Sequence, residues 1–164
     1  MRELRKVRVA TLRSHVQTSW EKPSRDEFGK NYKEAMAELQ YVQATLKSEQ
    51  RQLWDGRLPL MIQAYFEDIE RVLAGLRKRA KPHASVWLVV STSAYAGVEF
   101  PVDLITAEIA GRSGWFLRRV TVLRHLKRVA CQQWHKLSQR EGVGGPHLRE
   151  SLVILDAKPR RVAP

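Results

Sequence analysis

Cysteine is nearly missing from this 164-residue chain. Cys131 is its single thiol, which excludes an internal disulfide and a zinc site built on cysteines. The five histidines (His15, His83, His125, His135 and His147) include no two spaced four apart as helical metal ligands are, and no acid lies near His125 or His135, so no metal site is expected. No Ser/His/Asp arrangement stands out either, and no catalytic residue is assigned. No apolar run approaches the roughly 20 residues that a membrane span needs. The opening MRELRKVRVATLR is basic but lacks an uninterrupted apolar core, so it does not read as a secretory signal, and the expected location is the cytoplasm. Acids are also short: 17 Asp and Glu stand against 29 Lys and Arg, a net charge of +12. That surplus favours a polyanionic partner, DNA or RNA, held with an affinity that falls as salt rises.

What is present suits one soluble domain, since 43% apolar and 28% charged residues can build a core of ordinary size. Residues 1–22 show no clear period and read as a basic N-terminal arm. Ser24 and Glu27 form a capping-box pattern, behind which Phe28, Tyr32, Ala35, Leu39, Val42 and Leu46 alternate steps of four and three. This predicts a helix with one apolar stripe, running to about Leu53. Asp55-Gly56 breaks it. Pro59 then opens a second helix with Ile62, Phe66, Ile69, Val72 or Leu73, and Leu76 on its face, ending in Lys78, Arg79 and Lys81 before Pro82.

Val86–Val90 is an apolar run without alternation, the pattern of a strand covered on both faces inside a parallel α/β sheet. A small polar loop and a third helix from Pro101 follow, with Leu104, Ile105 and either Ala107 or Ile109 as its apolar face. Strands are then predicted over Leu117–Leu126 and Ser151–Leu155, joined by a loop over Lys127–His147 that holds Gly142, Gly144, Gly145 and Pro146. The order is helix, helix, strand, helix, strand, strand.

Two segments carry a family resemblance, YFEDIERVLAGLRKRAKPHASVWLVVSTSAYAGVEFPVDLITAEIA and LRESLVIL. Together they resemble the C-terminal half of a class I S-adenosylmethionine-dependent DNA methyltransferase that acts on base amino groups, over roughly Leu58 to Lys158. The resemblance implies a partial Rossmann-like sheet of three strands, the last one antiparallel, with long helices packed on it. It would divide the chain into the arm 1–22, a partial methyltransferase-like domain 23–158 and a basic tail 159–164. Ser91, Ser93 and Tyr95 would then stand in the vicinity of substrate or cofactor. The chain departs from the family in lacking the glycine-rich cofactor loop, the acid in a Gly-Asp-Ser-like turn, and the Asn/Asp/Ser-Pro-Pro-Tyr segment that holds the target amine. Methyl transfer and S-adenosylmethionine binding by this chain alone are therefore not expected. A complementing N-terminal half, or self-association through the strand edge left open at Val86–Val90, is the partner this implies.

Independently of the resemblance, basic residues are densest between Arg118 and Arg140. Arg119, Arg124, Lys127, Arg128, Lys136 and Arg140 can meet phosphates, and Gln132 and Gln133 can meet base edges. These residues define a candidate nucleic-acid surface, for which a non-catalytic nucleic-acid-binding protein is the alternative function. Arg149 and Glu150 read as an ion pair fixing the loop to the sheet, and Glu67 and Asp68 as surface charges.

Overall fold

The computed structural model describes residues 12–14, 37–48, 53, 55–95, 98–126 and 148–159. Helix α1 spans Ala37–Ser48, within the longer helix expected from the apolar stripe. The three-four spacing of Leu39, Val42 and Leu46 puts them on one buried side, while Tyr41 points outward.

Helix α2 spans Leu58–Arg79, with Pro59 in its first turn, where a missing N–H costs nothing. Asp55 prepares that turn: its carbonyl accepts from Leu58 N at 3.2 Å and its carboxylate from Arg57 N at 2.8 Å. Leu58, Met61, Ile62, Phe66 and Leu73 are buried along α2, whereas Val72 and Leu76 are exposed.

Strand β1 is Ser85–Ser91, and it is followed by a short hairpin of β2 (Ser93–Tyr95) and β3 (Val98–Phe100). The small polar loop expected here is thus partly strand. Helix α3, Val102–Arg112, buries Ile105 as expected, and both Ala107 and Ile109, but exposes Leu104, and it buries Asp103 and Thr106 in addition. Its C-terminus is closed by two backbone bonds, Trp115 N to Ala110 O and Gly114 N to Gly111 O. That pairing needs a left-handed residue, and Gly114 takes it at φ 82°. Strands β4 (Phe116–His125) and β5 (Arg149–Asp156) complete the chain's sheet.

The three-stranded sheet has the order β1-β5-β4, and β5 runs antiparallel to both neighbours. This corrects the expectation of an interior strand in a parallel sheet. The class is mixed α/β with three helices and a small antiparallel sheet among the described residues. β1 is an edge strand and it does alternate: Val86, Leu88 and Val90 pack on the core, while Trp87 and Val89 are 62% and 59% exposed. A run of apolar residues hides such alternation when both faces carry them.

The core fills the space between the helices and the inner sheet face, where Val153 and Leu155 of β5 meet Ile105 and Ile109 of α3. Trp115 seals one end. Its buried indole donates to Leu73 O at 2.9 Å, and the guanidinium of Arg77 lies 5.7 Å from the ring centroid. Arg77 also donates to Gly114 O (2.7 Å) and Ala157 O (3.0 Å), tying the end of α2 to the α3–β4 turn and to the end of β5.

Candidate nucleic-acid interface

Residues that alternate along three neighbouring strands share a face, and the register of the sheet sets out the outer one rung by rung. Trp87 stands beside Ile154 and Arg119; Val89 beside Leu152 and Thr121; Ser91 beside Glu150 and Arg124. At the far end Ser85 and Asp156 are joined by Arg118, which the bulge between Leu117 and Arg119 sets beside them. Val120, Val153 and Val86 point the other way into the core. Helix α3 packs on that inner face against all three strands; on the outer face Trp87 and Arg119 are exposed, while Ile154 between them is buried.

The outer face mixes an aromatic surface with cations. Trp87 is held at an angle fixed by its indole N–H, which donates to Ser85 Oγ at 3.1 Å. Ser85 Oγ also accepts from Arg118 at 3.2 Å and donates to Leu155 O at 3.0 Å, so the hydroxyl is fully used. Arg118 is paired with Asp156 and Arg124 with Glu150, the latter at 2.8 Å. Arg119 has no ion-pair partner among the described residues and is exposed. Chemically, the face offers a π platform for stacking with guanidinium groups on either side of it.

Two of the sequence-assigned basic residues, Arg119 and Arg124, therefore lie on this face. Lys127, Arg128, Gln132, Gln133, Lys136 and Arg140 lie outside the described residues. Their segment leaves the sheet at Leu126 and returns at Leu148, two residues joined by a backbone hydrogen bond of 2.8 Å. The basic connection is thus rooted at the Ser91–Glu150–Arg124 end of the sheet. Arg118, the first residue of the basic cluster, lies on this face as well, whereas Trp87 has no site assignment from sequence. An alternating reading of Ser85–Ser91 would have turned Trp87 outward, and the bulge that turns Arg118 has no local signature.

Ser91, Ser93 and Tyr95 line one cavity of about 140 Å³ beyond the end of β1. Ile62, Phe66 and Phe100 form its apolar wall, and Tyr95 meets Phe100 edge to face at 5.7 Å. An apolar cavity of about 150 Å³ accepts one benzene-sized ring, and drug-sized ligands need about 300 Å³ or more.

The wall of this cavity is pinned from two directions. Asp103, 1% exposed, receives Arg149 Nε at 2.9 Å, Arg149 Nη2 at 3.0 Å, Ser151 Oγ at 2.7 Å and Leu104 N at 3.0 Å. Burial pushes the Asp103 carboxyl up, but the bonds from Arg149 and Ser151 outweigh it and hold the group below its ordinary value. Arg149 also reaches Glu99 at 3.2 Å, and its backbone N donates to Thr92 Oγ1 at 2.9 Å. Arg149 and Glu150 do not pair with each other, contrary to expectation. Adjacent strand residues point to opposite faces, so Arg149 meets α3 and Glu150 meets Arg124.

On the other side, Ser14 lines the cavity, and Arg13 next to it binds Asp68 at 2.7 Å and Glu67 at 2.9 Å. Glu67 is 2% exposed and so is not the surface charge expected. For Asp68, burial raises the carboxyl and the bonds from Arg13 more than reverse it, leaving the group below its usual value. Among the described residues, no three His, Cys, Asp or Glu side chains are grouped to hold a metal ion, and no helix is long and apolar enough to cross a membrane. Compared with known proteins, the chain matches no family model, no curated protein and no solved structure.

Proposed function

We propose that this chain is a nucleic-acid-binding protein without catalysis of its own, which lays an unpaired strand across the outer face of its sheet. Trp87 carries the proposal. A tryptophan 62% exposed in mid-strand, oriented by Ser85 and facing Arg119 two strands away, has the form of a base-stacking platform beside phosphate contacts. The net charge of +12 supports the same class of partner. Arg119 and Arg124 would meet phosphates, and Lys127, Arg128, Lys136 and Arg140 would extend that path from the Ser91 end of the sheet. Gln132 and Gln133 would supply amides to base edges.

The test is fluorescence anisotropy of labelled single-stranded DNA, single-stranded RNA and duplex DNA with the full chain at several salt concentrations. A single strand should bind more tightly than duplex, with log K falling linearly in log salt. Salt-independent binding, or none at 50 mM salt, would overturn the proposal; the two single-strand arms decide between DNA and RNA.

A second reading is favoured by the strand order. The β4–β5 hairpin lies to one side of β1 with its last strand antiparallel, and Ser91, Ser93 and Tyr95 gather at the end of β1. This is compatible with descent from the C-terminal half of a DNA amino-methyltransferase, a fragment of a Rossmann-like sheet. S-adenosylmethionine would then belong to a complementing N-terminal half seated on the open edge of β1. Tritiated methyl transfer and calorimetry of the chain alone should show neither turnover nor micromolar S-adenosylmethionine binding. Either result in the positive would contradict the assignment of those functions to another chain.

A further inference from the structure

We propose that the free edge of β1 pairs with β1 of a second copy of this chain, antiparallel and centred on Leu88, to make one six-stranded sheet. Among the described residues β1 pairs only with β5, and no described strand occupies its second edge. Which backbone groups face that edge follows from the hydrogen bonds at its two ends. Thr92 N donates to Arg149 O, and Ala157 N donates to Ala84 O. Both pairs continue the β1–β5 register, so the even-numbered residues turn their N–H and C=O groups toward β5. Ser85, Trp87, Val89 and Ser91 turn theirs outward.

The sequence of β1 is nearly its own reverse: Ser-Val-Trp-Leu-Val-Val-Ser read backward is Ser-Val-Val-Leu-Trp-Val-Ser. About a two-fold axis at Leu88, Ser85 opposes Ser91, Trp87 opposes Val89, Val86 opposes Val90, and Leu88 opposes itself. In this register every outward-facing backbone group meets another outward-facing one, so each of Ser85, Trp87, Val89 and Ser91 exchanges two hydrogen bonds with its opposite. Side chains match as well. Trp87 and Val89 form an aromatic–β-branched pair twice on the outer face, and Leu88 meets Leu88 on the core side. A shift by two residues keeps the bonding parity but places Ser85 opposite Val89 and leaves ends unpaired.

Edge strands that must stay single carry Lys, Pro or a bulge. β1 has none of these; the register shifts of this sheet are both in β4. The absence of charge in β1 also matters in a chain of net charge +12, because the two copies meet where neither contributes a cation. Joining the edges makes the two outer faces continuous.

The experiment is sedimentation of the full chain over a range of concentrations, without nucleic acid. The expected result is a reversible shift to twice the chain mass that strengthens as salt screens the net charge, opposite in sign to nucleic-acid binding, so the two proposals fail separately. Val89→Pro removes a donor that faces the open edge and none that faces β5; with unchanged circular dichroism it should weaken the dimer by about tenfold or more. In a Cys131→Ser background, Leu88→Cys should form an intermolecular disulfide under mild oxidation, and Val90→Cys, whose opposite is Val86, should not. A chain that stays monomeric at all concentrations, or equal cross-linking by the two cysteine variants, would overturn the proposal. So would a dimer that Val89→Pro leaves intact.

Discussion

Trp87 and Trp115 are the same residue type under opposite constraints, 62% and 3% exposed. Trp87→Ala should lower single-strand affinity by about 1–3 kcal/mol, the worth of one base–aromatic stack, with little change in melting temperature. Trp115→Ala should cost about 3–5 kcal/mol of folding stability, because it opens a cavity in the core and removes the indole bond to Leu73 O. Oligonucleotide anisotropy and denaturant unfolding of both variants check the pair. Asp103 permits a prediction with a sign. Its carboxyl lies below the ordinary value when folded, so the unfolded chain takes up a proton more readily. Its contribution is therefore complete above the ordinary carboxylate range and is lost as pH falls through the lower folded value. Asp103→Asn should destabilise the protein by about 1–3 kcal/mol near neutral pH, because Arg149 loses its two-point partner and keeps only Glu99 as a counter-charge. Its loss of stability on acidification should be shallower than that of the parent, which unfolding midpoints between pH 7 and pH 3 would measure.

At the scale of elements, α2, β1, α3, β4 and β5 were legible within a residue or a few, because their periods and their Gly and Pro boundaries are local. What escaped was everything that depends on a distant partner. Asp103 and Arg149 stand 46 positions apart, and Arg13 and Asp68 stand 55 apart, so no local pattern announces either pair. The exposure of Trp87 was hidden for a related reason: a strand with apolar residues on both faces reads the same whether its second face is covered or bare. The β2–β3 hairpin was missed because three-residue strands are too short to show a period. The place of Ser91, Ser93 and Tyr95 at the end of a strand is legible in the sequence, but the cavity they line is not, because its wall comes from Ile62, Phe66 and Phe100. One element boundary is set by a single backbone angle. Gly114→Ala would force a side chain into the left-handed region, while its added Cβ would meet Arg77 only at an ordinary 3.6 Å. The expected cost is about 1–2 kcal/mol, seen as a lower denaturation midpoint with an unchanged slope.

For the whole molecule, the charge surplus makes salt the simplest probe of partner binding. Each phosphate contact on a single strand contributes about −0.7 to the slope of log K against log salt. Arg119→Gln should therefore reduce that slope by about 0.7 and leave stability within about 0.5 kcal/mol, since the side chain is exposed and joins no ion pair among the described residues. The segment from Lys127 to His147 begins and ends at one point of the sheet, where Leu126 and Leu148 share a hydrogen bond and Arg124 meets Glu150. Because paired strands already bring those ends together, lengthening the excursion adds little closure entropy, about 0.6 kcal/mol for each doubling. This position can therefore take inserted or exchanged sequence while the sheet keeps its register. It is where a new specificity, or a reporter domain, can be grafted at small cost to folding.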